Sequence, residues 1–448
     1  MSVYNTSLQT AVLEGVLENR SIEKLSLNMF NGTEESTALV SRIIKEKHEM
    51  RWLSIWSSDQ QPFGLPSVYD CWVAPLIHND ILEEVMLSSS MLQTTKWSDF
   101  FRALPTKQNL KVVHIFPTSA YTHIRWLCAE LKDSGAEEKV YLGYDANFGG
   151  EAELLHCKSI WQAEFQPMLC DDRLLAALRQ LPNCQSLTTL GICIEYDHMR
   201  LSLALAEFMR SAPALHTLRI RIKGGGPQEA HGQNPWWNII LESIFRSKSV
   251  KDLFLKMSDM SIQDSQDLAN SVKQSTSMRN LFFRNKDTAN NTAFFRRLSE
   301  GIENNHTLAS VKFEGGLDAD CDGHWLAVKE ITWRNSGLVP RAARIKQASQ
   351  SDRYVTRAVE RVSKYPALLD EVARSAKLDQ GELAILVRDR LMRTQSLDGF
   401  MRAAGVVKER VICHPAEDDR MQLDDLNEDC WRHVRWYLMA DDVMLDVV

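Results

Sequence analysis

Residues 275–313 read STSMRNLFFRNKDTANNTAFFRRLSEGIENNHTLASVKF. Met278, Leu281 and Phe283 follow a Φ-x-x-Φ-x-Φ spacing, where Φ is apolar, and Leu308, Val311 and Phe313 repeat it after 30 residues. The last two positions of each triplet alternate as the side chains of a strand do, whereas Phe295, Leu298 and Ile302 recur at the three-to-four-residue period of a helix. Each unit is therefore one short strand followed by one helix.

Working outward, the same triplet is found at Ile22-Leu25-Leu27, Met50-Leu53-Ile55, Leu110-Val113-Ile115, Leu187-Leu190-Ile192, Leu215-Leu218-Ile220 and Val250-Leu253-Leu255, with weaker copies at Leu82-Val85-Leu87 and Val140-Leu142. First positions fall at 22, 50, 82, 110, about 137, 187, 215, 250, 278 and 308, so most steps lie near 28 residues. A polar-x-Ser/Thr-Φ turn precedes many copies, as in Asn19-Arg20-Ser21-Ile22, Cys184-Gln185-Ser186-Leu187 and Asn305-His306-Thr307-Leu308. One such unit cannot bury its own apolar face, so neighbours must stack, with parallel strands on the inside and helices outside.

Period, six-residue core and pre-strand turn together resemble the ribonuclease-inhibitor class of leucine-rich repeats, over roughly residues 9–338. That class is also found in the C-terminal part of nucleotide-binding innate-immune receptors and in Ran GTPase activators. The resemblance implies an α/β fold, a curved solenoid with parallel inner strands and outer helices, that binds other macromolecules on its concave side. One departure is that the usual Asn or Cys at the ninth repeat position is replaced by residues such as Phe30, Ser90, Lys286 and Gly316, which predicts irregular turns. Two long steps predict insertions at 143–173 and 223–235. The first is also long enough to hold one degenerate repeat, and the second is rich in Gly, Pro and polar residues, the chemistry of a loop.

Beyond about 338 the triplet stops. Helix-period segments at Tyr354-Val355-Ala358-Val359-Val362, Leu368-Leu369-Val372 and Leu383-Leu386-Val387-Leu391 predict a helical bundle over 339–415, followed by an acidic tail over 416–448. Residues 339–412 hold 15 Lys/Arg against 9 Asp/Glu, and 416–448 hold 3 against 10, so charge attraction is expected to hold tail and bundle together. The chain opens inside a helix-period segment without a polar capping repeat, which predicts a truncated product or an N-terminal edge that a partner covers.

Composition narrows the function. With 44% hydrophobic and 25% charged residues the chain falls among folded proteins that bury cores, and no apolar run is long enough to read as a membrane span. The start, MSVYNTSLQTAVLEGVLENR, lacks the basic and apolar regions of a secretory signal, which places the chain in the reducing cytoplasm. Nine cysteines without a C-x-x-C pattern are expected to be buried free thiols and suggest neither a disulfide framework nor a zinc site. A net charge of −7 argues against nucleic acid as the partner.

No catalytic signature is present: Gly224-Gly225-Gly226-Pro227-Gln228 lacks the Gly-Lys-Ser/Thr of a phosphate loop, and no metal-ligand spacing or nucleophile elbow occurs. The chain is therefore read as a non-catalytic recognition or adaptor scaffold without cofactors. Strand alternation places Trp52, Trp56, Met86, His114, Phe116 and Tyr141 on the concave face of the early repeats. On the late repeats it places Arg219, Arg221, Phe254, Lys256, Phe282, Arg284 and Lys312 there. Aromatics and arginines are the residue types enriched in binding hot spots, which makes a protein or an acidic peptide the expected partner.

The C-terminal stretch from Leu426 to Val443 resembles the first half of an F-box, matched at Leu426, Val434, Tyr437, Leu438, Asp442 and Val443, with Asn427 where that motif carries Pro. This resemblance implies a second reading, a substrate receptor of a ubiquitin ligase whose adaptor docks at Trp436, Tyr437 and Leu438. A GTPase activator is a third, implied by the repeat class alone. On a helix from about Glu428, Cys430, Val434, Tyr437 and Leu438 share the face expected to pack on the bundle, with Trp431 at its edge and Trp436 opposite.

Overall fold

A computed structural model describes residues 6–30, 32–57, 67–116, 121–145, 157–165, 171–184, 186–195, 199–223, 235–257, 260–349, 352–413 and 421–443. The chain forms two compact units, residues 1–228 and 229–448. Among the described residues no helix is long and apolar enough to cross a membrane.

The first unit contains eight strands: β1 (Lys24–Phe30), β2 (Trp52–Ser57), β3 (Glu84–Ser88), β4 (Val112–Phe116), β5 (Val140–Asp145), β6 (Ile160–Phe165), β7 (Thr189–Glu195) and β8 (Thr217–Lys223). Each pairs in parallel with the next in sequence. Helices are described in every connection except that between β5 and β6, and because parallel crossovers are right-handed these helices lie on one side of the sheet. The triplet positions align across strands: Leu25, Leu53, Val85 and Val113 form one row, and Leu27, Ile55, Leu87 and Ile115 the next. All but the half-buried Leu27 are in the core. The alternate residues form the opposite face, which no described helix covers.

β6 lies inside the stretch 143–173, so that stretch holds a degenerate repeat: with Ile160 as its first position, the long step from about 137 to 187 divides into steps of about 23 and 27 residues. Its triplet is Ile160-Ala163-Phe165, all three buried, with Ala163 opposite Leu190 and Phe165 opposite Ile192. A register shift between β5 and β6 accompanies it. The second expected insertion lies outside the described residues except at its ends.

The pre-strand turns join each repeat to the one before. Ser186 Oγ donates to the Ile160 carbonyl at 2.8 Å, Ser277 Oγ to Ser247 at 2.8 Å and Thr307 Oγ1 to Ser275 at 3.0 Å. Asparagines satisfy the orphan carbonyls of the preceding helix end: Asn79 Nδ2 donates to Ile44, and Asn305 Nδ2 to Val272, Lys273 and Ser275. Asn305, which begins an N-x-T sequon, is buried and serves this turn. In place of a ninth-position Asn, Asn291 from the helix Thr288–Ser299 donates to the carbonyls of Asn285 and Gly316. Trp97 Nε1 does the same for Ser89 at 3.0 Å.

The second unit holds β9 (Asp252–Met257), β10 (Asn280–Asn285) and β11 (Ser310–Glu314), again parallel and in sequence order, together with the helical region. The helices Leu338–Ala343, Arg353–Val362, Pro366–Ala376 and Gln380–Met392 share one core around Val339, Val355, Val359, Leu368 and Leu383. A second core joins the helix Leu397–Ala404 to the tail helix Glu428–Tyr437 through Phe400, Met401, Ala404 and Trp431.

The tail corrects one expectation. Trp431 is 3% exposed, its ring 5.6 Å from Phe400 and its Nε1 donating to Gln395 O at 2.7 Å, whereas Cys430 and Tyr437 are exposed. The packed face is thus Trp431, Val434 and Leu438, rotated from the expected one because the indole reaches a free carbonyl in the turn before the helix Leu397–Ala404. The one ion pair described between tail and bundle runs against their net charges. The cation Arg435 of the acidic tail pairs with the carboxylate Glu360 of the basic bundle, and both are nearly buried. Glu360 also accepts from Ala440 N at 2.8 Å, and Arg435 Nε donates to Thr394 O at 3.1 Å.

The cysteines depart from expectation as well: Cys184, Cys193 and Cys321 are buried, but Cys71 and Cys430 are exposed and Cys128, Cys157 and Cys413 are half-buried. Cys71 lies in the short helix Val68–Trp72 and Cys430 in the helix Glu428–Tyr437, and Cys170 lies outside the described residues.

Candidate functional site

On the sheet face of the first unit that no described helix covers, β2 to β6 carry an aromatic patch. Trp56 is 56% exposed and stacks on Phe116, with ring centroids 5.7 Å apart and planes within 6°. The two stand on β2 and β4, and the residue of β3 level with them is Ser88. Trp52 and Tyr141 lie half-exposed on the same face. His114 is central, its ring 5.4 Å from Tyr141 and 5.3 Å from Trp161, with Nε2 3.5 Å from Glu84. Burial pushes the His114 imidazole below the usual histidine range, with Glu84 pulling against it. Trp161 was missed in the sequence because its strand was missed.

Arg219 and Arg221 project from β8 of the same unit and are exposed. Arg219 reaches over Gly191 on β7 to Glu164 on β6, at 2.6 Å. A Cβ at Gly191 would lie 2.9 Å from Glu164 Cγ, so the absent side chain opens the path for this pair. The cationic character read from the sequence is therefore partly neutralised.

The other predicted residues belong to the second unit, where they form a group of their own. The register places Phe254, Phe282 and Lys312 in one row and Lys256, Arg284 and Glu314 in the next. Phe254 and Phe282 lie 5.8 Å apart, and Arg284 pairs with Glu314 at 3.2 Å. Lys256 and Lys312 are exposed. On the tail, Trp436 is 86% exposed and Tyr437 71%, whereas Leu438 packs into the second core.

Among the described residues no group of three or more His, Cys, Asp or Glu side chains is arranged to hold a metal ion. The chain matches no protein-family model, and no curated protein aligns with it significantly.

Proposed function

We propose that this chain is a leucine-rich-repeat recognition scaffold that binds a partner protein on the sheet face of its first unit opposite the described helices. The observation that carries this reading is Trp56, a large apolar ring held in water and already stacked on Phe116. Ordering a side chain before contact lowers the entropy lost on binding, and pre-ordered aromatics are typical anchors of an interface. The ion pairs Glu164–Arg219 and Arg284–Glu314 neutralise two of the cations expected to attract an acidic peptide, which leaves the exposed ring of Trp56 as the stronger feature. The partner is therefore one that offers an apolar or aromatic side chain to the Trp56–Phe116 edge. Expected in the cytoplasm, it needs neither a cofactor nor a reaction.

The ubiquitin-ligase reading rests on the exposure of Trp436 and Tyr437. It is the weaker of the two, because Leu426, Val434, Leu438 and Val443, four of the residues that resemble an F-box, pack within this chain's own second core. The GTPase-activator reading has no residue of its own.

Affinity purification of three full-length forms, with partners quantified by mass spectrometry, separates these readings. A partner lost in the double variant Trp56→Ala, Phe116→Ala and kept in Trp436→Ala supports recognition by the sheet face. Loss of ligase components in Trp436→Ala alone supports the ligase reading instead.

A further inference from the structure

Cys157-Lys158-Ser159-Ile160 is a further copy of the pre-strand turn, set at the start of β6. It is built like the turn at Asn305: Ser159 Oγ donates to Glu137 O at 3.1 Å, as Thr307 Oγ1 does to Ser275 O, and Ile160 N donates to Cys157 O at 3.1 Å. Cys157 therefore holds the position of Asn305, whose side chain reaches back to the helix Ile262–Gln274, the one that precedes β10. Asn79 reaches back in the same way to the helix Glu34–Glu46, which precedes β2. The corresponding helix for Cys157 is Tyr121–Ser134, which precedes β5.

On that helix Ile124, Leu127 and Leu131 are buried, and Cys128, four positions after Ile124, shares their inward face. An asparagine brings strong N–H donors to the helix end, whereas a thiol is only a weak one. Here the Cys157 sulfur instead meets the Cys128 thiol in a side-chain hydrogen bond. Ser159 N–H also donates to Cys157, matching the Thr307 N–H that donates to Asn305 Oδ1 at 3.0 Å. These donors, Cys128 foremost, hold the Cys157 thiol below its usual range, while the same contact and burial push Cys128 up. Both thiols are half-buried, within reach of a small oxidant. Cys184 holds the same position in the next turn, where burial pushes its thiol up to about 12 and so keeps it protonated at neutral pH.

The thiolate is the form of cysteine that peroxides oxidise, and a second thiol beside it carries the product on to a disulfide. We propose that Cys157 and Cys128 are a modification site for hydroperoxides, in which Cys157 is oxidised first and Cys128 resolves it as a disulfide. The Cys157 thiolate attacks one peroxide oxygen, the O–O bond breaks, and the departing hydroxide takes up a proton and leaves as water. The Cys128 sulfur then displaces the hydroxyl of the resulting sulfenic acid, which leaves with the Cys128 proton as a second water. Two electrons pass from the sulfurs to the peroxide, and a dithiol returns them by exchange. The new bond ties the helix Tyr121–Ser134 to the turn before β6. It lies on the helix side of the sheet, so the proposal does not rest on recognition by the opposite face.

Treatment of the reduced full chain with hydrogen peroxide, then alkylation of the remaining thiols, tryptic digestion without reductant and mass spectrometry, tests the proposal. It expects the peptides 126–132 and 140–158, each of which holds a single cysteine, to be joined with the loss of two hydrogens and separated again by dithiothreitol. Cys128→Ser should leave Cys157 as a sulfenic acid that dimedone captures, and Cys157→Ser should leave Cys128 unmodified at the same dose. Cys184→Ser should leave the link unchanged, and treatment in urea should scatter links among the other cysteines. If a serine variant fails to fold, the joined peptides of the natural chain decide. Absence of that link, a link from Cys157 to Cys184 in its place, or an equal yield of the link in urea overturns the proposal.

Discussion

Trp56 and Phe116 stack although a whole strand separates the two from which they arise. Alternate strands of a sheet are about 9.6 Å apart, twice the spacing of neighbours, so the rings meet only by leaning over the strand between them. Ser88, buried beneath them, is small enough to allow it. Aromatic pairs contribute about 0.5–1.5 kcal/mol beyond area burial. Phe116→Ala is expected to lower stability in urea by at least that amount and to shift the ¹⁹F resonance of 5-fluorotryptophan at position 56, assigned by its loss in Trp56→Phe. An unmoved resonance would mean the rings do not stack.

Glu164 and Arg219 bridge β7 in the same way, over Gly191. Both are partly exposed, so the pair stabilises by about 0–1 kcal/mol. Gly191→Ala is expected to displace the carboxylate and remove most of that contribution. Combined with Arg219→Ala the two losses should be less than additive, since both remove one interaction. Full additivity in a double-mutant cycle would show that Gly191 has no part in the pair.

Burial holds the folded-state pKa of His114 below its unfolded value of about 6.5. As pH falls, the unfolded chain takes up the proton first. The stability that His114 contributes is therefore fully present above the unfolded value and is lost as pH falls through the folded one. Chemical denaturation at about pH 7.5 and about pH 5.5 should show a larger acid loss for the natural chain than for His114→Gln. Carboxylates contribute equally to both proteins, and identical losses would contradict the buried placement of this imidazole.

In the tail the two tryptophans should behave oppositely. Trp431→Ala is expected to destabilise the second unit by about 3–5 kcal/mol, as a buried aromatic does, and Trp436→Ala to change stability by no more than about 0.5 kcal/mol. Glu360→Ala leaves Arg435 buried without its carboxylate and should cost about 3–5 kcal/mol. Urea denaturation of the three variants checks the order, and a larger loss for Trp436→Ala than for Trp431→Ala would reverse the assigned face.

The strand-helix alternation was legible because one apolar triplet fixes both the period and the buried face. Leu53, Val85, Val113, Leu190, Leu218, Leu253 and Leu281 are all buried as that pattern requires. A degenerate repeat within 143–173 was allowed for, but β6 could not be placed because its central position is Ala163 and its spacing from the preceding repeat is short. With it went Trp161 and Glu164, hence the full aromatic patch and the partner of Arg219. The tail face was misassigned because periodicity ranks residues by hydrophobicity, whereas Trp431 is placed by a hydrogen bond to Gln395, 36 positions earlier.

The most direct test of partner recognition by the sheet face puts a photo-reactive benzoylphenylalanine at position 56 and, as a control, at exposed Arg246 on the helix Pro235–Arg246 of the second unit. The recognition reading predicts one adduct of defined mass from position 56 in a lysate of the source cells. Excess unlabelled natural chain should compete that adduct away, whereas the Trp56→Ala, Phe116→Ala variant should not. An adduct pattern at position 56 that matches the control, or that both competitors suppress equally, would contradict it.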